Sequence, residues 1–317
     1  MVLLVYLGRR LTAVVLTLVF ISIVTFGLMR FVPGDPIDVM YGAERPDPAI
    51  RAVVAQKLGL NEPVPVQYVR WMGRALVGDF GFSYRSNQPV IALVAQRLPA
   101  TLLLVAAAIG LTVLIAIPLG VLAAVRRDSW VDLGGMAAAL VSLSVPPFVS
   151  GLLLVLLFSI AFHLLPPMGT PAAQTGPLAW LAYLVLPTVT LAATLVGVVL
   201  RLTRSTVLEE LARDYVITAR AKGLVEQIVL VRHVLKNALL PVVTLLGLQL
   251  SYLIGGTVIV EIVFAWPGIG SLAVDAILGR DYPIVQALVL LIATMVVAIS
   301  LLVDLSYSVL DPRVRFA

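Results

Sequence analysis

The chain has no cysteine, two histidines, three lysines and few charges of any kind. Without cysteine there is no disulfide framework and no thiolate metal site. His163 and His233 stand too far apart for ligand spacing. The lysines are Lys57, Lys222 and Lys236, and none sits in a G-x-x-x-x-G-K-[ST] phosphate loop. The chain therefore cannot bind and hydrolyse ATP in that manner by itself. No Ser-His-Asp, H-E-x-x-H or paired-carboxylate arrangement stands at a readable spacing, so no catalytic residue and no metal ligand is assigned. Charged residues are 12% of the chain, against about 25% in soluble domains.

Hydrophobic residues fill that space at 61%. Six apolar segments stand out, at about 11–29, 101–125, 134–162, 181–202, 238–262 and 283–305. Each reaches the roughly 20 residues that cross a bilayer as a helix. Apart from Arg201, Glu261 and Asp304 at their ends, they carry no charged side chain. Glu261 and Asp304 are expected at the interface, with a gating or packing role as the alternative. The composition predicts an all-α polytopic membrane protein with six transmembrane helices. An Arg9-Arg10 pair precedes the first run, which is longer than a signal-peptide core and is followed by no small-residue cleavage site. It reads as a retained first span.

An even number of spans puts both termini on one side. Thirteen of the 22 Lys and Arg fall on the side of the termini, including seven between Arg201 and Lys236. The short loops opposite carry only Arg280, and the other eight lie in the long stretch between Arg30 and Ala100. By the positive-inside rule the termini are cytoplasmic. The net charge of +5 thus sits at span ends and is no nucleic-acid signal. The expected organisation is an N-terminus and first span over 1–31, an extracytoplasmic loop over 32–100, a core over 101–308 with a cytoplasmic loop at 203–237, and a tail over 309–317.

The long outer loop is rich in proline, so it reads as short elements rather than one helix. Pro48 to Gly59 has helical spacing. Val66 to Leu76 reads as an amphipathic helix, with Tyr68 and Trp71 suited to an interface. Within the spans, Ser144-Val145-Pro146-Pro147 breaks the helical ladder, which is tolerated where protein or a wet cavity satisfies the freed groups. A kink for packing is the plain expectation, and a direct role at the pore is the alternative. The spans also carry hydroxyls and amides at Ser142, Ser144, Thr188, Thr190, Thr194, Gln249, Ser251 and Tyr252. These are candidates to line a passage, although a lone Ser or Thr commonly bonds back to its own helix.

One charged loop separates two strongly apolar segments, Asp214 to Pro241. Asp214 can cap a short helix from Tyr215. Arg220 and Lys222 fall in its last turn, where cations meet the negative end of the dipole. Gly223 can take the left-handed conformation that ends it. A second helix begins at about Val225, and Pro241 marks re-entry into apolar sequence.

Thr218-Ala219-Arg220-Ala221-Lys222-Gly223, with Pro241 eighteen residues beyond, resembles the EAA-type loop of ABC importer permeases. The preceding Asp214-Tyr215 is similar to the dipeptide/oligopeptide/nickel branch. So are Arg30-Phe31-Val32-Pro33-Gly34-Asp35-Pro36, Leu58-Gly59-Leu60, Gly78-Asp79-Phe80-Gly81-Phe82-Ser83-Tyr84 and Leu98-Pro99-Ala100-Thr101. Glu261 to Gly270, Arg280-Asp281-Tyr282-Pro283 and Leu310-Asp311-Pro312-Arg313 complete the pattern over nearly the whole chain. Where many relatives carry Ser and basic residues after the loop glycine, this chain has Val225, Gln227, Ile228 and Val229.

The resemblance implies a type I ABC importer transmembrane domain, the B-type permease subunit of a peptide importer. It also implies that Asp214, Tyr215, Thr218, Ala219, Arg220, Ala221, Lys222 and Gly223 couple to an ATPase. The implied partners are a homologous C-type permease, two ABC ATPase subunits that use ATP and Mg, an extracytoplasmic solute-binding protein and the lipid bilayer. No cofactor on this chain is implied, and the place is the cytoplasmic membrane of a bacterium or archaeon. Nickel or glutathione are alternative cargoes within the family. A stand-alone secondary transporter is the alternative outside it, disfavoured by spans without an ionisable relay. An intramembrane enzyme is disfavoured by the missing catalytic groups.

Overall fold

A computed structural model describes residues 2–31, 36–41, 46–171 and 176–310. Among these residues the chain is helical nearly throughout, with one isolated bridge between Phe82 and Pro89. The elements are α1 (Val2–Phe31), α2 (Pro36–Tyr41), α3 (Pro48–Leu58), α4 (Val64–Leu76), α5 (Val90–Val125), α6 (Trp130–Ser144) and α7 (Pro147–Leu154). A π-helical extension, Val155–Ala161, continues α7. Then come α8 (Pro177–Leu211), α9 (Asp214–Ala221), α10 (Glu226–Ile228), a π-helical turn Val229–Val234, α11 (Leu235–Val263), α12 (Ile269–Leu278) and α13 (Tyr282–Leu310).

Five stretches are long and apolar enough to cross a membrane: Gly8–Arg30, Val90–Val125, Leu178–Leu211, Glu226–Val263 and Tyr282–Val303. The sixth expected span is a broken pair, Trp130–Ser144 and Pro147–Ala161, bent by 106°. This is a fold-back and not the packing kink expected of the double proline. Val145 is forced into extended backbone by the proline after it, and Pro147 opens a new helix at a position where its missing N–H costs nothing.

Two other boundaries differ from the sequence reading. The second span starts at Val90, so Leu98-Pro99 lies inside α5 and not at its entry. Gln96 and Arg97 dilute the apolar signal there, while Val90 and Val94 are buried and hold the extra turns. The short helix α12 occupies a stretch that reads as loop. Residues 32–35 and 311–313 of the family-like motifs lie outside the described residues.

The chain forms two compact units. One runs to Ala100 and resumes over Pro267–Ala298. Its core gathers Val90, Val94, Ile269, Leu272, Ala276, Ile284, Val285 and Leu288, with Met29, Phe80 and Leu98 against them. In this unit Asp281, 2% exposed, ties two distant motifs together. Its carboxylate accepts from Ser83 Oγ at 2.5 Å, Tyr84 N–H at 3.1 Å and Arg85 N–H at 3.4 Å. Tyr84 packs edge-on against Tyr282 with ring centroids 6.2 Å apart. Burial pushes the Tyr84 phenol up to about 12, against the opposing pull of Arg30.

The other unit comprises Thr101–Trp266 and, among the described residues, 299–310. Its organising element is α8, the most deeply buried of the spans. Without water to exclude, such helices associate by close packing, which favours small residues at the crossings. A side chain at Gly120 would meet the Leu200 carbonyl at 2.9 Å, and one at Gly197 would meet the Ala139 carbonyl at 2.8 Å. Arg204 on α8 donates through Nε and Nη2 to Asp132 on α6, at 2.5 and 2.7 Å. Asp132 also accepts the Asp128 N–H at 3.0 Å. A buried carboxylate is tolerated when it is paired and hydrogen-bonded in this way. Neither residue stands out in the sequence.

Replacing Asp281 by Ala leaves the Ser83 hydroxyl and the Tyr84 amide without their acceptor, while the Arg85 amide keeps Ser83 Oγ at 3.3 Å. The expected cost is about 2 kcal/mol. It is read as a lower midpoint of thermal unfolding and as faster proteolysis at residues 81–87, with Ser83→Ala showing a smaller shift of the same sign.

Candidate functional site

The charged loop folds as a short helix, a left-handed turn and the foot of a long helix. The structure corrects one expectation at its start. Asp214 is the first residue of α9 and not its cap, and Arg213, in extended backbone, precedes it without a side-chain cap bond. The Arg213 carbonyl instead accepts from the Val216 N–H at 2.9 Å and the Ile217 N–H at 3.3 Å. The Asp214 carboxylate is left in the first turn, where it complements the positive end of the dipole. Thr218 Oγ1 donates to the Asp214 carbonyl at 2.9 Å.

At the other end Gly223 has φ +78°. Its N–H donates to the Arg220 carbonyl at 2.9 Å, and the Leu224 N–H reaches the Ala219 carbonyl at 3.4 Å. This double closure is the Schellman motif, which needs the left-handed residue where glycine stands. Nothing lies within 4 Å of a Cβ built on Gly223, so the backbone conformation and not crowding selects the glycine.

Two side-chain links, unseen in the sequence, fasten α9 to the neighbouring helices. Arg220 grips Glu226 with Nε to Oε2 at 3.0 Å and Nη2 to Oε1 at 2.5 Å. That bond holds the guanidinium above its ordinary range. Both partners are exposed, so the pair orients the turn more than it stabilises the fold. The Tyr215 hydroxyl donates to Glu210 at the end of α8 and accepts from Asn237 Nδ2 of α11 at 3.2 Å. Burial, then the bond to Glu210, raises the Tyr215 phenol above its usual value. The second helix starts at Glu226 behind an extended Val225 with no side-chain cap. It does not stop before Pro241 but runs through it to Val263.

The inward face of α9 is apolar. Val216 and Ala219 are buried with Ala124, Val207, Val229, Val234 and Ala238. Outward, Ile217 is 58% exposed, Val225 62% and Ile228 45%, beside the exposed Arg220, Ala221 and Lys222. A short helix wedged under three spans thus presents a mixed apolar and cationic knob.

The candidate path residues lie on α6, α8 and α11. Ser142 and Ser144 donate to the carbonyls of Ala139 and Leu140, each at 2.9 Å. Thr190 is buried and donates to Leu186 at 2.8 Å, and its methyl faces Gly151 of α7. These hydroxyls serve their own helices. Thr188 is also buried, and its hydroxyl has no partner among the described residues. Thr194, Gln249 and Ser251 are half-buried, and Tyr252 is 78% exposed. Glu261 departs from the expectation of an interfacial residue. It is fully buried and accepts from Thr101 Oγ1 at 2.7 Å. The side chain of Asp304 lies outside the described residues. Among the described residues no group of three His, Cys, Asp or Glu could hold a metal.

Residues 116–316 match the family described as binding-protein-dependent transport system inner membrane component, and residues 3–105 match its N-terminal counterpart. The chain belongs to this family. It is a permease subunit of an ABC importer, a multi-pass protein of the inner membrane. The permease is 42% identical over 312 residues to the probable peptide ABC transporter permease protein y4tP of Sinorhizobium fredii, covering 98% of this chain and 99% of that one. It is 40% identical over 311 residues to the glutathione transport system permease protein GsiC of Salmonella paratyphi A, with the same coverage. Inward-facing structures of the MetNI methionine ABC transporter share its fold, with TM-score 0.55 and 19% identity over 70% of this chain and 97% of that one.

Gly223→Val tests the turn directly. A β-branched residue at positive φ costs about 1–2 kcal/mol. Amide hydrogen exchange over 214–226 should accelerate by about the tenfold that ~1.4 kcal/mol represents, while exchange in the spans is unchanged.

Proposed function

We propose that this permease forms half of the translocation pathway of a peptide importer, and that α9 with its terminal turn is the seat of an ATPase subunit. The observation that carries the second point is the exposed knob of Ile217, Arg220, Ala221, Lys222, Val225 and Ile228. It stands on a helix whose opposite face is locked beneath the spans. Apolar side chains at the centre of a charged rim are the composition of a protein–protein contact. Val225 and Ile228 add apolar surface to the knob. Asp214, Tyr215, Thr218 and Ala219 hold the knob in place, and Gly223 aims it.

The remaining partners come from the family: a homologous C-type permease completing the pathway, two ATPases that bind ATP and Mg, and an extracytoplasmic solute-binding protein. The basic residues around α9 and at the N-terminus support a cytoplasmic site for both. The loop between Pro33 and Pro89 then faces outward and contacts the binding protein. Peptide is the cargo because the relatives include peptide permeases, and the glutathione permease among them carries a molecule that is itself peptide-like. The nearly uncharged spans support a passage that holds its cargo loosely, with the binding protein setting selectivity.

Two measurements check this reading. In the complete transporter, Lys222→Glu combined with Gly223→Val should lower import at least about tenfold while the chain still inserts. Unimpaired import would overturn the coupling role. Exchanging the binding protein for a docking-competent relative should carry import to the new ligand. Uptake that still tracks the old cargo would place the selective site in the spans.

A further inference from the structure

We infer that α4 lies in the membrane, as an interfacial helix sunk into the acyl boundary beside α1, with lipid as the occupant of its unpartnered face. The helix has two apolar faces. One is docked. Tyr68 and Trp71 stack on Phe26 of α1 at 5.6 and 5.5 Å between ring centroids. The Tyr68 hydroxyl and Ser22 Oγ share a hydrogen bond of 2.8 Å, and Arg30 donates to the buried Gln67. The two aromatics expected to face the interface are therefore spent on α1.

The opposite face is bare. At 100° per residue, Val66, Val69, Gly73, Leu76 and Val77 fall in one stripe. Val66 is 45% exposed, Val69 68%, Leu76 80% and Val77 81%. Arg70 and Arg74 run along one edge of the stripe, long enough to carry their charges to water while their stems cover apolar surface.

The depth of the docking points selects lipid over water. The apolar stretch of α1 runs Gly8–Arg30, so Ser22 and Phe26 lie about 12 and 6 Å short of its end at ~1.5 Å per residue. Both are within the ~30 Å hydrocarbon layer that the stretch spans. The other faces of α1 at the same depth are open and apolar, with Phe20 67%, Ile23 52% and Leu28 55% exposed. Helices of this kind sit about 5–10 Å into the boundary. The inference holds whichever side of the membrane carries Arg30, so it stands or falls separately from the proposed function.

The absence of cysteine makes the test direct. Nitroxide labels at Val69→Cys, at Phe20→Cys on α1 and at Arg51→Cys on α3 are compared in the complete transporter, in vesicles of phosphatidylethanolamine and phosphatidylglycerol. The Val69 label should collide with oxygen several-fold more than with a water-soluble nickel chelate, as the Phe20 label does. The Arg51 label should show the reverse. If the Val69 label behaves like the Arg51 label, α4 stands in water and the inference fails. If it is shielded from both reagents, a protein covers the stripe and the inference also fails. Should Val69→Cys not assemble, Leu76→Cys reads the same face.

Discussion

Hydrocarbon offers no partner to a backbone N–H or C=O, and this constraint shapes the whole chain. Within the spans every such group must be satisfied by the chain itself, so helix is the only economical form. The interruptions then acquire meaning. At Pro146-Pro147 the prolines remove donors, and the neighbouring carbonyls are taken up locally. The Val149 and Ser150 amides both donate to Pro146, and Ser150 Oγ donates to Pro147. At Gly223 the interruption falls outside the spans, where water and a Schellman closure share the task. Side chains obey the same rule. Ser142, Ser144, Thr190, Thr203 and Thr206 all donate to carbonyls on their own helices, which leaves few hydroxyls to offer to a cargo.

Much of this is legible in the sequence, because the constraint writes itself as composition. Long apolar runs without charge announce spans, and basic residues at their ends announce orientation. The α9 turn is legible for a different reason. Only glycine adopts φ +78° without strain, so a glycine after a short polar helix is a local signal with a local cause. The place of Asp214 differs from its expected one by a single residue, since a carboxylate at the cap and one in the first turn satisfy the same electrostatic preference.

The hidden part is non-local. Asp281 and Ser83 are 198 positions apart, and Asp132 and Arg204 are 72. Nothing in either local pattern encodes the pairing, though in the first case both partners sit in family-like motifs. Glu261 reads as interfacial because it lies at the end of an apolar run. A run measures hydropathy along one helix, whereas burial depends on what packs around it. The early start of α5 is masked in the same way by Gln96 and Arg97, polar residues on a helix whose other side is core.

The foot of the fourth long helix has a mechanical corollary. From Glu226 to Val263 the helical path is a rod of 38 residues, passing through the π-helical turn Val229–Val234 and Pro241, at most about 57 Å long at ~1.5 Å per residue. Arg220 and Tyr215 fasten α9 to the first dozen residues of that rod, at Glu226 and Asn237, and the buried Glu261 lies near its tip. A rod gripped at its base is a lever, and the π-helical turn and Pro241 are the places where this one can bend. A tilt of only ~10° at the foot sweeps the far end through about 10 Å by the same axial rise, roughly the diameter of a helix.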